Sequence, residues 1–275
     1  MPSADRGTHR LSYETLGPSD APPLLLVMGM SFAARAWGPL PERLAAEFRV
    51  IAFDNRGAGG STSPLRPFGM GDLADDAAAV LEAAGAGPAC VFGISMGGMV
   101  ALELALRHPA RVRALALGAT FAGWRESRKA SLPVVADLLA GGVLSRLGSH
   151  RLIGRALVSA EMAEKDLARF GAWVENTGRA GPRTLAQQTA AVLRHDVGRR
   201  LGEIRVPTLV LSGDADRLVP LENSRRLAEA IPGARLAVLK GAGHCFPLER
   251  FEETVREVAG FFRGAAQQPS RPDPS

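Results

Sequence analysis

Short, continuous apolar runs recur along the chain, at 24–28, 49–53, 89–92, 112–117, 206–213 and 234–239. They lack the in–out alternation of a half-exposed strand, as expected of parallel strands covered on both faces. Residues 8–16 alternate weakly through Leu11, Tyr13 and Thr15 and predict an edge strand, preceded by a polar, loose start at 1–7. The stretch 17–23, with three prolines and a glycine, is a turn-rich connection. Between these runs the period becomes helical. Helices are predicted at 37–48, 71–84, 96–108, 221–230 and 251–262, and Pro109 closes the third.

From 121 to about 200 the pattern changes: no strand-like run occurs, only helical stretches broken by glycines. The expectation is an α/β fold, a mostly parallel twisted sheet with helices on both faces. The core comprises 1–119 and 201–264, and 265–275 reads as a disordered tail. The helical insertion at 120–200 is predicted to form a lid over the strands' carboxyl ends, where open α/β sheets place their sites.

Composition narrows the classes. The chain has 275 residues and is 46% hydrophobic, enough for one sizeable core plus an insertion. Its net charge of +5 comes from dispersed arginines, with lysine only at 129, 165 and 240. No basic block interleaves with aromatics, so no nucleic-acid partner is expected. Cys90 and Cys245 lack metal-site spacing, and neither a metal nor a disulfide is expected. Residues 1–16 lack a signal-like apolar segment, and no apolar run approaches ~18 residues. The expectation is a cytoplasmic protein without membrane association; a homo-oligomeric state stays open.

The apolar run at 89–92 leads into Gly93-Ile94-Ser95-Met96-Gly97, and a helical pattern begins at once behind it. Strand, Gly-x-Ser-x-Gly and helix together describe a sharp turn that lifts a serine Oγ above a sheet edge. Ser95 is the candidate nucleophile. A serine hydroxyl needs a base in reach, itself oriented by a carboxylate. His9 precedes an edge strand, His108 ends a helix, and His150 and His195 lie in the insertion. His244 follows Gly241-Ala242-Gly243 after the last strand, which makes it the candidate base. Asp216, on the loop after the 206–213 strand, is the candidate acid, with Asp214 a turn residue. Backbone amides of Met30 and Met96 are the candidate oxyanion donors. Met28, Phe32, Trp124 and Trp173 are candidate substrate contacts, against the commoner reading of such residues as ordinary packing.

These segments resemble the α/β-hydrolase superfamily over about 8–264. The match is carried by Met28-Gly29-Met30, by Asp54-Asn55-Arg56-Gly57-Ala58-Gly59-Gly60-Ser61, and by Gly93-Ile94-Ser95-Met96-Gly97-Gly98. Gly213-Asp214-Ala215-Asp216 with Val219-Pro220 and Gly243-His244 complete it. The chain looks most like small bacterial esterases, enol-lactonases, cofactor-free haloperoxidase/perhydrolase-type enzymes and polyketide methylesterases. Family members often have His-Gly where this chain has Met28-Gly29, and the 54–61 loop departs at Gly59-Gly60-Ser61. The resemblance implies a cofactor-free serine hydrolase acting on a carboxylic ester or lactone, and the apolar insertion with the methionine-rich 28–30 loop points to a medium-sized hydrophobic substrate. Two alternatives keep the same residues: perhydrolysis or C–C bond hydrolysis, and a ligand binder without turnover. Dehalogenase and epoxide-hydrolase chemistry would need a carboxylate at position 95.

Overall fold

The computed structural model describes residues 2–144 and 149–267. Eight strands form one sheet in the order β1-β2-β4-β3-β5-β6-β7-β8. They are β1 (Ser3–Asp5), β2 (Arg10–Leu16), β3 (Pro23–Val27), β4 (Arg49–Phe53), β5 (Ala89–Ile94), β6 (Val112–Gly118), β7 (Thr208–Gly213) and β8 (Arg235–Leu239). From β4 to β8 every neighbouring pair is parallel, whereas β1–β2 and β2–β4 pair antiparallel. Every residue of β5 and β7 is buried, which explains their unbroken apolar runs. The start expected to be loose contains β1, whose short ladder with β2 depends on backbone pairing and leaves little trace in the side-chain pattern.

The helices are α1 (Leu40–Leu44), α2 (Met70–Ala83), α3 (Met96–Arg107), α4 (Leu132–Leu144), α5 (Arg151–Leu157), α6 (Ala160–Lys165), α7 (Leu167–Asn176), α8 (Pro182–Arg194), α9 (Leu221–Ala230), α10 (Phe246–Glu249) and α11 (Phe251–Ala266). One apolar cluster packs α2 and α3 onto one face of the sheet, and a second packs α1 and α11 onto the other. The helix expected at 37–48 is interrupted: a 3-10 turn, Ala34–Trp37, gives way at Gly38 and Pro39 to the short α1. Proline tolerates only a helix start there, so a new helix begins instead of the old one continuing. The last helix runs on to Ala266, four residues past its expected end; residues 268–275 of the expected tail lie outside the described residues.

Helices α4 to α8 all fall between β6 and β7, the segment without strand pattern. One antiparallel bridge, Gly123 with Asp196, ties the entry of this insertion to its exit. Helix α4 leaves Leu132, Leu139 and Val143 largely exposed. Among the described residues no helix is long and apolar enough to cross a membrane.

A buried ionic cluster fastens the 54–61 loop to α2. Arg56 Nε donates to Asp76 Oδ2 at 2.6 Å, and His9 Nε2 lies 3.0 Å from Asp76 Oδ1, with Arg6 Nε at 3.4 Å. Arg56 and Asp76 are almost completely buried. A buried charge stripped of its partner is far more costly than an intact pair. Asp76→Ala is therefore expected to lower unfolding free energy by about 3–5 kcal/mol in urea titrations. A loss below about 1 kcal/mol, the level of an exposed pair, would show the cluster to be energetically idle.

Candidate active site

Ser95 sits where β5 turns into α3, with φ 55° and ψ −122°. A non-glycine residue in such a conformation costs of order 1–3 kcal/mol and persists only when its surroundings fix it. Here Ser95 N–H donates to the Gly118 carbonyl at 2.8 Å, and Thr120 Oγ1 donates to the Ser95 carbonyl at 2.7 Å. The flanking glycines are required by close approach. A Cβ on Gly93 would overlap the Gly97 carbonyl, and one on Gly97 would overlap the Val27 carbonyl at the end of β3. Gly98 is equally constrained, because a Cβ there would lie 2.6 Å from Thr120.

That approach brings the loop after β3 against the serine. A Cβ built on Gly29 would stand 3.3 Å from Ser95 Cβ and 3.9 Å from its Oγ. Met30 follows directly, and Met96 opens α3, where the first N–H groups of a helix have no partner within it. The Met28 carbonyl accepts a hydrogen bond from Asn55 Nδ2 at 2.9 Å, which ties this loop to the 54–61 loop. Asp54 braces the latter: its carboxylate accepts from Ala34 N–H at 2.7 Å and Gly60 N–H at 2.8 Å.

His244 and Asp216 meet. His244 Nδ1 lies 2.9 Å from Asp216 Oδ2, and both residues are buried. The other carboxylate oxygen, Oδ1, accepts from Leu218 N–H at 2.9 Å and Val219 N–H at 2.8 Å, so the carboxylate is fixed at both oxygens. The His244 loop is held by Glu249. One of its carboxylate oxygens accepts from Gly243 N–H at 2.9 Å and the other from Ser159 N–H, at the start of α6, at 3.0 Å. Among the hydrogen bonds of the described residues, none joins Ser95 Oγ to His244, whose ring is bonded to Asp216. The connection between them runs through packing: Phe246, two residues after His244, abuts Gly118, which accepts the Ser95 N–H.

Of the expected pocket residues, Met28 is buried, and Phe32 and Trp173 meet with ring centroids 5.1 Å apart. Trp173 Nε1 donates to the Ala36 carbonyl, joining α7 to the 3-10 turn. Trp124 is partly exposed, against Phe121 and beneath Lys129, beside the Gly123–Asp196 bridge. Two surface cavities, of about 410 and 360 Å³, include no Ser95, Asp216 or His244 in their walls. Among the described residues, no group of three or more His, Cys, Asp or Glu is arranged to hold a metal ion. Thr120, Asn55 and Glu249 escaped sequence reading because their roles depend on loops that meet only in the fold. The Gly-Gly pair at 97–98 was the one legible trace of Thr120.

A family model described as the alpha/beta hydrolase fold matches residues 22–251. The chain belongs to the α/β-hydrolase fold family, and hydrolase is the class that this membership defines. It is 34% identical over 258 residues to a protein of Azorhizobium caulinodans named "Putative carbamate hydrolase RutD", covering 90% of this chain and 92% of the relative. Among solved structures, the enol-lactonase from Burkholderia xenovorans LB400 superposes with TM-score 0.83 at 26% identity, covering 95% of this chain and all of that one. A thermophilic esterase from Thermogutta terrifontis superposes with TM-score 0.79 at 28% identity, covering 95% and 96%.

Burial pushes the Cys90 thiol up to about 12 and raises that of Cys245, beside His244, well above its usual value. The thiolate is the reactive form, so both should be inert near neutral pH. Native protein is expected to remain unmodified by iodoacetamide, read by intact mass, until denaturant exposes both thiols. Rapid labelling of Cys245 in folded protein would contradict its burial.

Proposed function

We propose that the protein is a serine hydrolase that cleaves a carboxylic ester or lactone of medium size and hydrophobic character through an acyl-enzyme. Ser95 Oγ attacks the carbonyl carbon while His244 takes its proton. The tetrahedral oxyanion is bound by the backbone N–H groups of Met30 and Met96. His244 then delivers the proton to the leaving alkoxide, and a water deprotonated by His244 releases the acid. Asp216 holds the imidazole with Nδ1 protonated, so that Nε2 is the atom that exchanges protons.

The observation that carries this reading is the conformation of Ser95. A residue with a Cβ is held at φ 55° against a close-packed glycine contact, on the turn that meets the Gly29–Met30 loop. A glycine would adopt that conformation without strain, so a serine there supports a role for its hydroxyl. The 2.9 Å His244–Asp216 contact supports the acid–base half. The hydrophobic substrate rests on Met28 and on the Phe32–Trp173 contact, and residues 120–200 act as the lid over it. Two of the similar solved structures are named an esterase and an enol-lactonase, which supports an ester or a lactone as the bond cleaved. A carbamate, the substrate class in the name of the 34% identical relative, is the second reading, since carbamate hydrolysis passes through the same tetrahedral chemistry.

The test uses p-nitrophenyl butyrate, dihydrocoumarin and a p-nitrophenyl carbamate, with wild type, Ser95→Ala and His244→Ala. Each substitution is expected to lower kcat by at least about 10⁴-fold on the preferred substrate. A fluorophosphonate should label Ser95 in the wild type and leave Ser95→Ala untouched. Full esterase activity in Ser95→Ala would remove the nucleophile assignment, and turnover confined to the carbamate would select the second reading.

A further inference from the structure

Ser31, the residue after Met30, has φ 75°, a left-handed conformation that a side chain makes unfavourable. Both of its backbone polar groups are bonded by the helical insertion. Gln188 Oε1, on α8, accepts the Ser31 N–H at 2.8 Å, and Ala180 N–H donates to the Ser31 carbonyl at 2.6 Å. Neighbouring contacts have the same origin. Ala33 N–H reaches the carbonyls of Thr177 and Gly178, and Thr189 Oγ1 lies 3.6 Å from Met30 Sδ.

Gln188 is completely buried on the inward face of α8, which it shares with Thr184 and Ala191. Because Ser31 N–H can only donate, it fixes the orientation of the amide: Oε1 faces Ser31 and Nε2 lies on the other side. Nε2 is buried there without a hydrogen-bond partner. A buried donor left without a partner destabilises the fold, and a leucine or methionine would occupy the same space without that penalty. What the glutamine supplies, and an apolar residue cannot, is the acceptor for Ser31.

The loop is thus anchored on both sides of one peptide. Before it, the Met28 carbonyl is held by Asn55 from the core. After it, the Ser31 N–H is held by Gln188 from the insertion. Between the two anchors lies the Gly29–Met30 peptide, whose N–H belongs to Met30. We infer that Gln188 is a positioning residue for the oxyanion hole: by gripping Ser31 it aims the Met30 N–H, so the hole is complete only while α8 is seated. This inference rests on the role given to Met30 above. It assigns the insertion a part in transition-state binding in addition to covering the substrate.

Gln188→Met keeps the length of the side chain and removes the acceptor. A small misplacement of a transition-state donor is costly, so kcat for p-nitrophenyl butyrate is expected to fall about 10- to 100-fold. KM should stay within about twofold, because the interaction lost is one made in the transition state. Affinity for a trifluoromethyl ketone, whose adduct carries an oxyanion, should fall in parallel with kcat. Gln188→Asn, too short to reach Ser31, should behave alike and supplies the test if the methionine variant fails to fold. A folded variant with wild-type kcat, or one in which only KM rises, overturns the inference. Fluorophosphonate labelling separates the two levels. If wild-type Ser95 does not react, the serine-hydrolase reading fails and this inference with it. If Ser95 reacts and the Gln188 variants turn over normally, this inference alone fails.

Discussion

The contact between the first turn of α3 and the end of β3 is the constraint on which the site depends. Gly97 lies so close to the Val27 carbonyl that no side chain fits between them. That closeness forces the chain to turn sharply at position 95, and the turn holds the serine at φ 55°. The same approach places the loop leaving β3 beside the serine, with Gly29 against Ser95 Cβ. One backbone contact therefore sets the position of Ser95 and of the loop that faces it. Interiors are too densely packed to absorb even one added methyl at such a place without displacing neighbours.

Around that contact, polar residues from distant parts of the chain fasten each loop. Asp54 and Asn55 hold the loops after β3 and β4, the Arg56–Asp76 pair binds one of them to α2, and Glu249 spans the His244 loop and the insertion. Each of these carboxylates accepts more than one hydrogen bond, as the buried Asp54 and Asp76 must if their charge is not to destabilise the fold. The insertion is consequently bonded to both walls of the site, to the loop after β3 through α8 and to the loop after β8 through α6.

Much of this order could be read from residues alone. The parallel strands are buried on both faces, so they appear as unbroken apolar runs, and the alternation with helices follows directly. Gly93-Ile94-Ser95-Met96-Gly97 revealed the turn because its glycines have a steric cause, and the positions of Asp216 and His244 after strands predicted that the two would be neighbours. β1 was not legible, because its three residues pair through backbone atoms. The break before α1 was missed because Trp37 and the apolar residues beyond it keep a helical spacing across Pro39 and Pro41. Gln188 and Glu249 were invisible for a different reason. A polar residue on a helix reads as a surface residue until the partner that buries it is known, and those partners lie 157 and 6 residues away. The Lys129 ammonium that lies over the Trp124 ring was equally illegible, because a cation–π contact leaves no pattern in the sequence.

The order of the strands has a consequence for how the molecule comes apart. β6 and β7 are neighbours in the sheet, yet all of α4 to α8 is strung between them, so their pairing closes a long loop. Closing such a loop carries an entropy cost that the neighbouring short crossovers do not. Four residue pairs hold this seam, from Leu115–Thr208 to Gly118–Leu211. Ser95 lies on one side of it, while Asp216 and His244 lie on the other. A partial opening along the seam would leave strands and helices largely intact in both halves while separating the hydroxyl from the imidazole. With Ser95 and His244 in the proposed roles, activity would then report the joining of the two halves of the sheet, while circular dichroism would report each half on its own.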